Sequence, residues 1–308
     1  MELNHTMDTK FTLAKALTLS VGRLKQPVTT RYQLGVLFSH LYFSQKYDGQ
    51  DIKLPQRPFD AELFYATLYR LLKTGILNHF QDLDKVYSII GKNIYTEEEV
   101  ACAIDPFTFI SHLSAMAYHG LTDRMPQTIY LSAPSQKDWK KFATEKMQKD
   151  LQDNLTPYQK HKLPLLTRTQ FNKIGKKTVQ QYSSIHLGAY KSIKDKSLRV
   201  ATIGRTFLDM LQKPNFCGGI YHVINVFREH AEPYLKLIID ELNQHGKAID
   251  KVRAGYILNE LCGITCAEID QWQKFAARGG SRRLDPNEEY SSTFSDKWCL
   301  SINVEIAE

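Results

Sequence analysis

Residues 60–90 read DAELFYATLYRLLKTGILNHFQDLDKVYSII, and the apolar spacing changes partway through that stretch. Asp60 is a side-chain cap for a helix whose apolar stripe is Phe64, Leu68, Leu71 and Leu72, and Gly75 ends it. Beyond Gly75 the pattern turns extended, with two strands over 76–81 and 85–90 joined by Asp82-Leu83-Asp84. Toward the N-terminus, residues 9–25 place Leu13, Leu17 and Leu24 on one helical face, and Pro27 interrupts them. Thr29 or Thr30 then caps a second helix through about Tyr47, with Leu34, Leu37, Phe38, Leu41 and Tyr42 on its buried side. Three helices followed by a hairpin predict a winged helix-turn-helix over residues 1–95. In that arrangement the last helix enters the DNA major groove while the hairpin touches the backbone.

The face of the third helix opposite its stripe carries Glu62, Tyr65, Ala66, Tyr69, Arg70 and Lys73. Arg70 and Lys73 suit phosphate or guanine, and Tyr65 and Tyr69 can donate to the backbone. Arg31, Lys53 and Arg57, near neighbouring helix starts, and Lys85 on the hairpin complete the candidate DNA contacts. The tyrosines can equally pack under a second layer, and two basic residues are few for a recognition helix.

A chain of 308 residues with 43% hydrophobic residues is long enough for two domains with real cores. It has no run of about 18 apolar residues to span a membrane and no basic-then-apolar leader, so a cytoplasmic protein with no membrane partner is expected. Cys102, Cys217, Cys262, Cys266 and Cys299 are scattered and odd in number, which suits reduced thiols. Cys262 and Cys266 lie one helical turn apart without a second ligand pair, so ordinary packing competes with a zinc reading. The net charge of +7 is unevenly spread: residues 137–199 hold 15 Lys/Arg against 5 Asp/Glu, and residues 96–136 hold 1 against 5. The basic segment can neutralise phosphates, a salt-sensitive effect; the other reading is a solvated lysine-rich helix face.

A second stretch, DPFTFISHLSAMAYHGLTDRMP over 105–126, reads as one helix with both ends marked. Asp105 caps it, Pro106 fits its first position and Gly120 ends it. Ser111, Ser114, Ala115 and Ala117 keep its barrel thin, and a strand over 128–131 follows, stopped by Pro134. Farther along, 137–153 is a charged helix, 156–166 an irregular loop, and 178–187 and 198–201 are strand-like. Helices over 202–212, 220–229, 233–244, 248–261 and 267–277 precede a strand at 297–304. This order predicts an α+β chain in which residues 96–308 form a larger mixed domain, a small sheet packed by helices.

Chemical candidates are few. His112 and His119 lie seven apart on the expected helix without an acidic third ligand, and His119 in the last turn is explained by the helix dipole, so no metal is expected. Arg205 and Asp209 are four apart and face one way, as an intrahelical ion pair does. Gly218-Gly219 lacks the spacing and Lys-Ser/Thr of a phosphate loop and suits a tight turn. Glu232 with Lys236, and Asp270 with Lys274, have the spacing of ordinary surface helices. With no nucleophile elbow and no clustered acids, the reading is a binding protein, neither an enzyme nor a cofactor carrier.

The 105–126 stretch also resembles the central signature of the AbiEi family. Arg199-Val200-Ala201-Thr202-Ile203-Gly204-Arg205-Thr206-Phe207-Leu208-Asp209-Met210-Leu211, with Pro214 and Cys217-Gly218-Gly219-Ile220, is similar to that family's Arg-Thr-x-x-x-Asp helix and Gly-Gly turn. Residues 251–261 are similar to the helix that follows, and the resemblance spans about 96–265. Gly204 stands where many members carry Glu. Ser111, Ser114, His119, Gly120, Arg205, Asp209, Gly218 and Gly219 are the family-motif positions, read as structural. The resemblance implies a DNA-binding antitoxin of a type IV toxin–antitoxin system that represses its own promoter at inverted repeats. It further implies a nucleotidyltransferase toxin as functional partner, with no stable complex required; because one recognition helix has limited affinity, two copies on adjacent half-sites are expected to cooperate, which a monomer in solution allows. A stand-alone transcriptional regulator with an effector or partner domain is the alternative reading, and a nucleic-acid-processing enzyme a more distant one.

Overall fold

The computed structural model describes residues 11–277 and 282–306, an α+β chain that divides into two compact units. The first runs to Phe107 and takes in Pro134–Ile174 and Lys194–Ser197; the second comprises Thr108–Ala133, Gly175–Ile193 and the chain from Leu198 onward. The first unit is therefore wider than residues 1–95. The reason is packing, since Leu151, Tyr158 and Leu163 are buried in the same core as Leu17, Phe38, Phe64 and Leu71.

The first three helices of the first unit are Leu13–Gly22, Arg31–Ser44 and Ala61–Lys73, shorter at their ends than the apolar patterns suggested. Thr12, Thr30 and Asp60 are their N-caps, each accepting a hydrogen bond from a first-turn N–H. Thr30 and Gln33 form a reciprocal capping box, satisfying two backbone donors that no helical carbonyl reaches. The strands Leu77–Phe80 and Leu83–Ile89 pair antiparallel, with Leu77 opposite Ile89 and an irregularity between His79 and Phe80. Their turn comes earlier than the expected Asp82-Leu83-Asp84, because Leu83 already belongs to the second strand and Gln81 supplies a positive φ of 50°. A third strand, Val28–Thr30, pairs antiparallel with residues 86–88 and had no sequence expectation. Helix Gln136–Leu151 follows the expected 137–153 closely, whereas 156–166 is not wholly irregular, since Leu155–Lys160 is helical.

The single helix expected from Asp105 does not form. Helix Glu97–Ile104 ends before it, Phe109–Ile110 is a strand, and the helix of the signature is only His112–Tyr118. Asp105 instead accepts hydrogen bonds from Phe107 N and from the buried Trp139 Nε1 at 3.1 Å, so tertiary partners have taken the carboxylate a cap would use. Gly120, at φ +67°, does follow the helix end.

Five strands of the second unit lie in the order Tyr190–Ser192, Arg199–Ala201, Phe109–Ile110, Thr128–Ala133 and Lys177–Ser183. Val200 pairs parallel with Ile110 and Thr128–Ala133 runs parallel to 178–183, while Tyr190–Ser192 with Arg199–Ala201 and Phe109–Ile110 with Thr128–Ala133 pair antiparallel, so the sheet is mixed. Helices Ile203–Gln212, Ile220–His230, Leu235–His245 and Ala248–Gly255 bury Phe207, Leu211, Phe227, Leu242 and Val252 in one core with Trp272 and Trp298. The expected helix 248–261 widens into a π-turn over Tyr256–Leu261, and 267–277 is two short turns. Of the expected strand 297–304, Leu300–Ser301 is extended, paired antiparallel with Phe294–Ser295.

Gly35 tests how tightly the first core is closed. A Cβ there would lie 2.2 Å from Tyr158 Oη, and that hydroxyl is held by the Pro164 carbonyl at 2.6 Å. We expect Gly35→Ala to lose about 1–3 kcal/mol to overpacking. Gly22→Ala, with open space around it, should be neutral or slightly stabilising in the same urea titrations. Equal midpoints for the two variants would contradict this packing.

Candidate nucleic-acid interface

Helix Ala61–Lys73 divides cleanly into two faces. Leu63, Phe64, Thr67, Leu68 and Leu71 are buried, while Glu62, Tyr65, Ala66, Tyr69, Arg70 and Lys73 are exposed. The six exposed residues are the set read from the sequence. Tyr69 is 64% exposed and Tyr65 44%, so neither is covered by a second layer. Arg70 and Lys73 sit in the last turn, where cations also favour the negative end of the helix dipole.

The other expected contacts differ in character. Lys53 and Arg57 are exposed on the loop before the helix; Lys53 N donates to Phe11 O at 2.8 Å, and Arg57 O accepts from Tyr42 Oη at 3.2 Å, so the loop backbone is tied down. Lys85 projects from the second hairpin strand, its Nζ 3.5 Å from Thr167 Oγ1. Arg31 is committed to the hairpin: it donates to Tyr87 Oη at 3.1 Å and to Asp84 O at 2.8 Å, and its side chain is only 20% exposed. These bonds to the hairpin and the Tyr65 ring near its guanidinium make Arg31 a brace for the hairpin before it is a ligand for phosphate.

The basic segment 137–199 is split between the two units. Its helix Gln136–Leu151 buries Trp139, Ala143, Met147 and Leu151 and exposes Lys137, Lys140, Lys141 and Lys149. Lys146 pairs with Asp150 at 3.0 Å, and Tyr32 Oη donates to the same carboxylate at 2.9 Å. Part of this charge is thus neutralised within the helix, and Asp150 ties the helix to Tyr32.

In the second unit Ser111, Arg205 and Asp209 belong to a buried polar cluster. Arg205 and Asp209 are each 1% exposed, and Arg205 Nε donates to Asp209 Oδ1 at 2.8 Å. Glu241 Oε1 is 4.0 Å from Arg205 Nη1, and Ser184 Oγ is 3.4 Å from Nη2. Burial raises the pKa of Glu241, against the lowering pull of His245 and Arg205. His112, at φ +50°, is buried with its Nδ1 2.8 Å from Ser111 Oγ, which accepts from Ser132 Oγ at 2.9 Å. Tyr182 and Phe216 meet its ring edge to face. His112 Nε2, Arg205 Nη1, Asp209 Oδ2 and Glu241 Oε1 have no hydrogen-bond partner among the described residues. Arg205 with Asp209 was legible as an i,i+4 pair, but His112 and Glu241 reach the cluster through tertiary packing and carried no local signal.

The remaining motif positions shape the frame. Gly204 lies against helix Leu235–His245: a Cβ there would sit 2.3 Å from Leu237 O, so a larger residue would push the two backbones apart. Ser114 Oγ accepts from Tyr130 N at 2.9 Å, and His119 contacts Ala201 O at 2.7 Å through Nε2. His112 and His119 therefore have separate partners, and no group of three metal-ligating side chains occurs among the described residues. Gly218 and Gly219 take φ values of +90° and +92° at the turn into helix Ile220–His230, with Arg124 Nη1 donating to Gly218 O at 3.0 Å.

No family model matches the chain, and no curated protein matches it. A solved structure described as the crystal structure of RV2827C protein from Mycobacterium tuberculosis is similar to it, at 12% identity over 94% of this chain and 90% of that one, with a TM-score of 0.49.

Two outcomes follow for the buried cluster. Arg205→Ala strands a buried carboxylate and should cost about 3–5 kcal/mol, most of it recovered in the apolar double variant Arg205→Met/Asp209→Leu; no recovery would give the pair a role beyond this packing. Burial lowers the pKa of His112, with Arg205 and Lys213 adding to the effect and Asp209 opposing it. The unfolded chain therefore binds the proton that the fold refuses, and stability declines as pH falls through the ordinary histidine range near about 6.5. His112→Asn, whose side chain tolerates positive φ, should flatten that decline in denaturation midpoints; an unchanged slope would refute it.

Proposed function

We propose that the chain is a DNA-binding antitoxin that represses its own promoter and counteracts a nucleotidyltransferase toxin, with the three helices and hairpin of the first unit acting as a winged helix-turn-helix. The observation that carries the DNA-binding half is the outward face of helix Ala61–Lys73, with Tyr65, Tyr69, Arg70 and Lys73 all exposed. The element order supports the same reading. Helix, strand, helix, helix and hairpin follow one another, and the first strand joins the hairpin in a three-stranded sheet. Such a helix lies in the major groove while the hairpin meets the adjacent backbone. One chain offers one such helix, so two copies on inverted half-sites are the natural complex.

The antitoxin half rests on the resemblance over residues 96–265. The motif residues there are mostly buried scaffold: Ser111, Ser114, Arg205 and Asp209 hold strands and helices together. They hold a shape and offer no exposed contact to a partner.

Binding of the full chain to the duplex upstream of its own reading frame, followed by fluorescence anisotropy across salt concentrations, tests the first half. Each lost phosphate contact removes roughly 0.9 from the slope of log affinity against log salt. Arg70→Ala/Lys73→Ala should therefore flatten the slope by about 2 with the fold intact; an unchanged slope would remove this face from the interface. Co-expression with a nucleotidyltransferase encoded alongside tests the second half. Growth should be rescued by the wild type and by the double variant alike. Failure of the folded wild type to rescue would leave a stand-alone regulator.

A further inference from the structure

The first unit contains an open cleft of about 670 Å³ between the first turn of helix Leu13–Gly22, the loop after Ile52 and the side of helix Ala61–Lys73. Three cations, Lys53, Arg57 and Arg70, line it above an apolar floor that includes Leu13, Leu54 and Leu63. Among the described residues that line it there is no carboxylate, and the lining residues Arg57 and Arg70 have no acidic partner there. Arg57 and Arg70 both bring positive charge to the recess, and an anion there is attracted to the pair. The N-terminal end of helix Leu13–Gly22, the positive end of its dipole, adds to the same field.

The walls are held in place before any ligand arrives. Lys53 N donates to Phe11 O, Ile52 N to Gln45 O at 2.7 Å, and Tyr42 Oη to Arg57 O. Phe59, just beyond, stacks on Phe38 with ring centroids 5.8 Å apart and meets Phe43 at 4.6 Å. A binding loop fixed in this way loses little entropy on binding.

We propose that this cleft binds a free phosphorylated organic molecule of nucleotide size, with Arg57, Arg70 and Lys53 on the phosphates and the Leu13–Leu54–Leu63 floor under the organic part. Its volume falls within the range of small-molecule sites. A duplex backbone meets a protein through phosphate contacts on an accessible surface, and a recessed apolar floor adds nothing to such a contact. The floor has a purpose only if the phosphate carries a group that can be buried. Arg70 belongs both to the cleft and to the exposed helix face, so a ligand in the cleft takes that guanidinium from DNA. This competition rests on the DNA-binding reading; the ligand site itself does not.

Calorimetric titration of the full chain with ATP, and separately with inorganic pyrophosphate, tests the site, with Arg57→Ala as the altered protein and its melting temperature as the folding control. We expect one ATP per chain, weaker binding of pyrophosphate, and at least a tenfold loss of ATP affinity in Arg57→Ala. Saturating ATP should also lower duplex affinity in the wild type. The site is overturned if ATP does not bind at millimolar concentration, if Arg57→Ala binds it unchanged, or if pyrophosphate binds as tightly. ATP binding without any duplex binding would uphold the cleft and remove the DNA-binding reading. Duplex binding without ATP binding would do the reverse.

Discussion

The burial of one side of helix Ala61–Lys73 is the constraint from which the rest of the first unit follows. Phe64 is fully buried and meets Phe38 edge to face at 5.5 Å, with Leu63, Leu68 and Leu71 filling the same core. Each such side chain contributes roughly 1.5–3 kcal/mol on leaving water, far more than any surface ion pair. With that stripe fixed inward, helical geometry turns Glu62, Tyr65, Tyr69, Arg70 and Lys73 to solvent whatever else the sequence does. The outward face is thus a by-product of the core. Its usefulness depends on the hairpin beside it, which Arg31 ties to the start of the second helix through Tyr87 and Asp84.

The second unit follows a different logic. Its most distinctive residues are charged and buried, and they pair with one another: Arg205 with Asp209, and Glu241 approaching from a neighbouring helix. Buried ion pairs of this kind add little net stability over apolar packing but penalise any arrangement that separates the partners. The Arg205–Asp209 pair lies within helix Ile203–Gln212, Glu241 alone approaches it from helix Leu235–His245, and Gly204 lets the two backbones come close.

What the amino-acid order revealed, and where it misled, has physical causes. The three helices of the first unit were legible because their apolar positions recur at helical spacing and Thr30 and Asp60 cap two of them. The exposed face of the third was legible for the same reason. Strand Val28–Thr30 was not, since three buried residues after a proline carry no period. The helix expected from Asp105 and Pro106 failed because a local cap signal was overruled by Trp139, whose indole N–H claims the carboxylate. Likewise the division at residue 95 missed Leu151, Tyr158 and Leu163, which return from later in the chain to finish the first core. The cluster of His112, Arg205 and Glu241 was only half visible, because contacts between distant segments leave no spacing to read.

Placement of the exposed helix face against duplex DNA is the claim on which this account turns, and site-specific photocrosslinking addresses it most directly. A benzophenone side chain at position 69, 64% exposed in the wild-type tyrosine, is compared with one at position 221, 55% exposed in the second unit. With the upstream duplex bound, the account predicts crosslinks to DNA from position 69 and none from position 221. Bound duplex that crosslinks only from position 221, or from neither position, would contradict it.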